Sequence, residues 1–316
     1  MSAPPIFVGG TGRCGTHAVG HLLGATTRYA MVPRELQFHI SRLGLSGFVR
    51  ARITAEELAR NLRTHWWSRT TGWDAETTRG LYKSLSRDAL EAAIERFLSD
   101  DEGSRGTRAG TLLDDIARSS LVEPTTAAWV EMTPLNVSRA DSLEAFSPDH
   151  LLIHVVRDGR DVAASITALP WGPDEPLEAL EWWESRLRVS SSGAQAVPPA
   201  RRLVVRLEEL TWLDREQQLE RLMAFAGCAI DEPVRRFFDE RVRAADARIG
   251  RWRTAFEPTV RAELDRRYRR LLEALMADGV DATPTPPERL DAEAPPAPQP
   301  VENPLDPWRD GLGRTA

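Results

Sequence analysis

Residues 7–23, FVGGTGRCGTHAVGHLL, place an apolar run, four closely spaced glycines and an amphipathic start in immediate succession. That order reads as a buried strand, a tight turn and the first turns of a helix, so it commits the N-terminal part of the chain to an α/β unit. Gly9, Gly10, Gly12 and Gly15 let the backbone turn its N–H groups inward, and the helix from Thr16 points its positive end at the same spot. The unit is built to hold a phosphate or sulfate group. Arg13 lies inside the turn, where its guanidinium reaches back over a bound anion.

The spacing from Gly10 to Gly15 is that of G-x-x-x-x-G-K-[ST], yet Thr16 and His17 follow where a lysine and a magnesium-binding hydroxyl belong. This argues against an ordinary ATPase or kinase. A second segment, LLIHVVRDGRDVAASI at 151–166, repeats the apolar strand, polar turn and helix start, with Arg157 at the strand end and Ser165 eight positions on.

Taken together the two units resemble the sulfotransferase family that uses 3′-phosphoadenosine 5′-phosphosulfate (PAPS). TGRCGT is similar to its 5′-phosphosulfate loop, R-S-G-T-T, and the second segment to its 3′-phosphate motif, V-R-[DN]-P-R-D-V-x-x-S. The resemblance implies that Gly12, Arg13, Cys14, Gly15, Thr16 and His17 hold the phosphosulfate and that Arg157 and Ser165 grip the 3′-phosphate. VPRELQFHI at 32–40 resembles the stretch carrying the catalytic glutamate of carbohydrate-type members, which carries over to Glu35. VEMTP at 130–134 resembles a K-T-P strand end with Met132 in the lysine position, and RLEELTWLDREQQLERLMAFAG at 206–227 resembles the family's Y-E-D-L strand and following helix. IGRWRTAF at 249–256 is similar to the late G-R-W loop that closes over the nucleotide, which adds Gly250, Arg251 and Trp252 to the donor-binding residues.

The resemblance covers about residues 5–275 and implies a central parallel sheet with flanking helices and an inserted helical cap. It also implies an activity: a sulfuryl group moves from PAPS to a hydroxyl or amine of a small-molecule, carbohydrate or glycolipid acceptor, leaving adenosine 3′,5′-bisphosphate (PAP). Because the transferred group carries less charge than a phosphoryl group, positioning and electrostatics suffice and no metal is expected. Arg13 and the loop N–H groups stabilise charge on the leaving phosphate, and Glu35 is the candidate general base. His17 and His39 are the other candidate bases, and His17 is also a candidate donor to the phosphosulfate. A small-molecule kinase with this loop, or a scaffold that binds nucleotide without turnover, are the alternative readings.

The remainder of the chain sets bounds. With 316 residues, the sequence suffices for one α/β domain, residues 1–277, with the cap at 41–128. A net charge of −6 argues against a protein that coats nucleic acid or an anionic membrane. Cys14 and Cys228 cannot form a disulfide framework, and no histidine or cysteine cluster has metal-ligand spacing. Together with the lack of a signal peptide or apolar span, this points to a cytoplasmic chain of unspecified oligomeric state. In the cap, SRDALEAAIERFLSD at 86–100 predicts a helix capped by Ser86 with Leu90, Ile94, Phe97 and Leu98 on one face, while Trp66, Trp67, Trp73 and Tyr82 are either core or an acceptor wall. Residues 177–196 predict a helix with Leu177, Leu180, Trp183 and Leu187 inward and with Trp171 and Trp182 near the cleft. From 278 to 316 the abundance of proline predicts extended or disordered chain without regular helix, with Trp308 a candidate anchor to the body or to a neighbouring subunit.

Overall fold

A computed structural model describes residues 3–71, 74–122 and 128–292. Strand β1 (Ile6–Gly10) runs into helix α1 (Thr16–Gly24) and the short β2 (Tyr29–Met31). An excursion follows with α2 (Leu45–Val49), α3 (Ala55–Arg63), β3 (Arg69–Thr71), β4 (Asp74–Arg79), α4 (Arg87–Ser99) and α5 (Arg105–Ser119). Then come β5 (Ala128–Glu131), α6 (Ala140–Phe146), β6 (Leu151–Val156), α7 (Gly159–Ile166), α8 (Pro176–Ala194) and β7 (Arg202–Arg206). The chain continues through α9 (Arg215–Ala226), α10 (Glu232–Arg241), α11 (Ala244–Ala247), α12 (Trp252–Ala255), α13 (Pro258–Ala277) and α14 (Pro287–Ala292).

The main sheet has the order β2-β5-β1-β6-β7, and every pairing in it is parallel. β1 lies at its centre, buried on both faces, which is why IFVGG reads as an unbroken run of apolar and small residues. From β1 the chain moves one way to β2 and later the other way to β6. The turns after β1 and β6 therefore open side by side at a topological switch point, the place where α/β sheets bind ligands. One face of the sheet is covered by α1, α9 and α10 through Val19, Leu22, Leu23, Leu219, Leu222 and Phe238; on the other, α7, α8 and α13 pack through Val162, Trp183, Leu187, Tyr268 and Leu272. No helix among the described residues is long and apolar enough to cross a membrane.

The cap is helical, as expected, and it adds the antiparallel hairpin β3–β4. The threonines of RTT and DAETTR account for it, since β-branched residues favour strands over helix. Helix α4 is capped by Ser86, which accepts from the Ala89 N–H, and buries Leu90, Ile94 and Phe97. Trp66 is buried in the cap core and donates to the Leu43 carbonyl at 3.2 Å; Tyr82 is exposed; Trp73 lies outside the described residues. In α8 the residues Leu180, Trp183 and Leu187 face inward, but Leu177 is exposed. At about 100° per residue Leu177 lies nearly a right angle away from that stripe.

The C-terminal region departs most from expectation. Residues 278–292 are docked, not extended: Ala282, Thr285 and Leu290 are buried, and Arg206 Nε donates to the Thr283 carbonyl at 2.8 Å. Proline does not prevent α14, because Pro287 occupies its first position, where the missing N–H costs nothing. Arg269 bonds Glu288 and Asp291, Arg253 bonds Asp291, and Arg289 bonds Asp214. Residues 293–316, including Trp308, lie outside the described residues. Truncation after residue 280 is accordingly expected to cost about 2–3 kcal/mol, chiefly the burial of Leu290, and to lower Tm by about 5–10 °C. Truncation after 292 should leave Tm within about 2 °C in parallel thermal melts, because it removes none of these contacts.

Candidate active site

The glycine turn is shaped by steric need. A Cβ on Gly10 would fall 2.3 Å from the Val155 carbonyl oxygen of the neighbouring strand, and Gly15 has φ +94° with its Cβ position 2.6 Å from a Leu207 methyl. Gly15 caps α1 without offering a side chain, so the first-turn N–H groups from Thr16 onward face the turn with no side-chain cap. Cys14 is fully buried against Gly10, and burial pushes its thiol pKa up. It fills the turn and is not a reactive thiol.

Around this turn several arginines converge. Arg157 follows β6; its two terminal nitrogens donate to the carbonyls of Arg13, Ala247 and Arg248 at 2.7–3.1 Å, while its Nε is buried and has no partner among the described residues. Arg13 Nε donates to Ser165 Oγ at 3.0 Å. The turn after β1 and the helix after β6 are thus joined through the residues expected to grip opposite ends of the donor. Asp161 organises the third piece: it lies 3.6 Å from Arg157 and accepts from the backbone N–H groups of Gly250 at 2.8 Å and Trp252 at 3.1 Å. That brings Arg251 into the cluster, and burial together with the cations Arg157, Arg248 and Arg13 pushes its pKa down to about 10. Burial and Arg157 lower Arg248 as well. Burial first, and then the neighbouring cations, disfavour the charged forms of Arg248 and Arg251.

Trp252 has a different role from its neighbours. Its ring is 7% exposed and packs against the guanidinium groups of Arg160 and Arg253, so it anchors the loop and does not offer a face to a ligand. Arg248 and Asp161 were not singled out from sequence. Asp161 sits within RDGRD and Arg248 directly precedes IGRW, but only the approach of the two segments gives them their parts.

The opposite wall is formed by the stretch after β2. Glu131, wholly buried at the end of β5, accepts from the Leu36 and Thr133 N–H groups at 2.9 Å and from Asn136 Nδ2 at 2.6 Å. The Gln37 N–H donates to Thr133 Oγ1 at 3.4 Å, with Gln37 held at φ +57°. Glu35 is thereby presented beside α1, its Oε1 3.7 Å from His17 Nε2 and its side chain 26% exposed. Its other oxygen accepts from Gln37 Nε2 at 2.7 Å, and Arg69 of the cap hairpin donates to Gln37 Oε1. One other candidate falls away. His39 is fully buried, stacked on Phe7 and 2.7 Å from Asn136 Oδ1, so it cannot reach an acceptor. Met132, in the position of a lysine, is 1% exposed against α1 and supplies no cation.

Below the arginines lies a buried carboxylate, Glu208. Its Oε1 accepts from the Asp158 N–H at 2.8 Å, Oε2 is unpartnered among the described residues, and burial with the nearby Asp158 charge raises its pKa to about 8. Between an unfolded value of 4.5 and a folded value of about 8 the native state keeps a proton that the unfolded state has lost. Stability from this group therefore falls as pH rises through that window. Glu208→Gln keeps the bond from Asp158 and is expected to flatten the fall. Urea midpoints of the two proteins from pH 5 to 8 check this, and parallel curves would refute it. His154, held neutral by burial with a pKa near 4, acts in the opposite direction at lower pH and is common to both proteins.

A sulfotransferase family model matches residues 4–232, and the chain belongs to that family. Among solved structures, the sulfotransferase domain of the Synechococcus olefin synthase shares 18% identity over 85% of this chain and 96% of its own, with a TM-score of 0.52. The sulfotransferase domain from the curacin biosynthetic pathway shares 16% identity over 77% and 80%, with a TM-score of 0.49. A sulfotransferase from Mycobacterium tuberculosis shares 18% over 76% and 72%, with a TM-score of 0.42. No curated protein matches the sequence. At these identities the first likeness speaks to the fold alone, a five-stranded parallel sheet with helices on both faces.

Proposed function

We propose that the chain transfers the sulfuryl group of PAPS to a hydroxyl or amine of a small-molecule, carbohydrate or glycolipid acceptor, with Glu35 as general base. The observation that carries this reading is the convergence of Arg13, Arg157, Arg248 and Arg251 on a glycine turn at a helix N-terminus, with Arg157 Nε buried and unpartnered among the described residues. That donor set fits a nucleotide carrying phosphates at both ends. Residues Gly12–His17 would hold the phosphosulfate, Arg157 and Ser165 the 3′-phosphate, and Gly250 and Arg251, on the loop that Trp252 anchors, the nucleotide between them. PAPS supplies the activated sulfuryl group; the chain's own part is to orient it, to stabilise charge on the phosphate it leaves and to remove the acceptor proton.

Glu35 suits the last task because it is partly exposed, borders the turn through His17 and is oriented by Gln37. His17 lies where it can donate to the phosphosulfate or the acceptor. Two free cysteines, Cys14 buried and Cys228 half-buried, fit a reducing, cytoplasmic setting. We place the functional unit at residues 1–292, extended beyond 277 because α14 holds Arg253 of the nucleotide loop through Asp291.

Titration with PAP, AMP and ATP, with and without magnesium, tests the reading. PAP should bind at least about tenfold more tightly than AMP, independently of magnesium. Equal affinity for PAP and AMP would overturn it, and magnesium-dependent preference for ATP would favour a kinase. A product-mass screen of hydroxylated acceptors with labelled PAPS then separates an enzyme from a scaffold.

A further inference from the structure

One cation beside the glycine turn is not accounted for by the donor. A Cβ on Gly12 would lie 3.7 Å from the Trp182 ring, so α8 presents this indole to the turn. One helical turn on, Arg186 lays its guanidinium over the same indole, 4.7 Å from the ring centroid. Arg186 is half-buried, and among the described residues it has neither a carboxylate nor a hydrogen-bond partner; on the same helix Arg188 pairs with both Glu184 and Asp278. Burial alone holds its pKa below the usual arginine range.

Position along the helix tells which side of the turn Arg186 serves. Residues 182, 186, 190 and 193 recur at helical spacing, and Gly193 packs against Val137 and Ser138 in the turn that follows β5. Arg186 therefore lies between the glycine turn and residues 134–139. That is the side on which Thr133 ties down Gln37, the partner of Glu35. Arg157 and Arg13 are instead directed to Ser165 and to residues 247–248, at the other end of the turn. A guanidinium taken half out of water without an anion is costly, whereas one shelved on an indole is already oriented, with its fork of N–H groups matched to a carboxylate or phosphate.

Resting on the sulfotransferase reading above, we propose that Arg186, shelved on Trp182, binds an anionic group, carboxylate or phosphate, carried by the acceptor near the hydroxyl that Glu35 deprotonates. The acceptor class is then narrowed from any hydroxyl compound to an acidic one.

The test uses the full chain saturated with PAP and titrated with phenyl phosphate, benzoate and the neutral benzyl alcohol. At least one anion should bind about tenfold more tightly than the alcohol. Arg186→Gln should erase that difference while PAP affinity and the melting temperature stay unchanged, and Arg186→Lys should retain part of it. Equal binding of the three probes by the wild type, or a preference that survives Arg186→Gln, overturns the proposal. Weakened PAP binding in Arg186→Gln would assign the residue to the donor and overturn it too. Failure of the wild type to bind PAP at all is a distinct outcome, which removes the sulfotransferase reading and this inference with it.

Discussion

Glu35→Gln is expected to lower kcat by about 10²–10⁴-fold, the usual worth of a general base, while PAP affinity changes by less than a few fold. The substitution isolates proton transfer because its carbonyl can still accept the bond from Gln37 Nε2 and its size is unchanged. Single-turnover rates with a verified acceptor, beside a PAP titration, measure both quantities. A variant that turns over at the wild-type rate would move the role of base to His17, since His39 is sealed in the core. Collapse of PAP binding would show instead that Glu35 supports the turn, through its approach to His17 in the first turn of α1.

Arg157→Ala is expected to act twice. Loss of a charge-assisted contact to the 3′-phosphate should weaken PAP binding by about ten- to a hundredfold and abolish the preference over AMP. The same substitution strips the carbonyls of Arg13, Ala247 and Arg248 of their donor and leaves Asp161, 1% exposed, without its cation. Breaking a buried pair in this way typically costs about 3–5 kcal/mol, so the variant should also melt well below the wild type. Calorimetric titration well below its melting point separates the two effects. Ser165→Ala provides the contrast: it removes a hydroxyl that accepts from Arg13, and should weaken PAP binding with little change in Tm. Unaltered discrimination between PAP and AMP in Arg157→Ala would place the 3′-phosphate elsewhere.

The loop of Gly250 and Trp252 has its N–H groups held by the same Asp161 that neighbours Arg157. Buttressing continues outward through Arg253 and Asp291 to α14. A segment whose proline content suggests a loose tail is thus tied through Asp291 to Arg253, next to that loop. The misreading has a simple cause: proline disfavours helix interiors but not a first turn, and a short helix is stabilised by what it packs on, not by its own composition.

Both βα units, with Arg13, Arg157 and Ser165 in or beside their turns, were legible in the sequence, because glycine spacing and apolar runs act over a few residues and need no tertiary context; that Ser165 meets Arg13 and not Arg157 was not. The same holds for the Ser86 cap and the inner face of α4. Burial of His39 was not legible, since VPRELQFHI offers Glu35 and His39 as equally polar; what separates them is Asn136 and Phe7, contributed by remote parts of the chain. Nor were Asp161 as organiser, Arg248 as a member of the cation cluster, or Arg186 as a guanidinium with no carboxylate partner among the described residues. Local sequence determined that this chain would build a glycine turn between a strand and a helix. Tertiary structure decided which charges surround that turn, because electrostatic energy depends on distance and burial, and the partners of Arg157 at residues 247 and 248 are about ninety positions away along the chain.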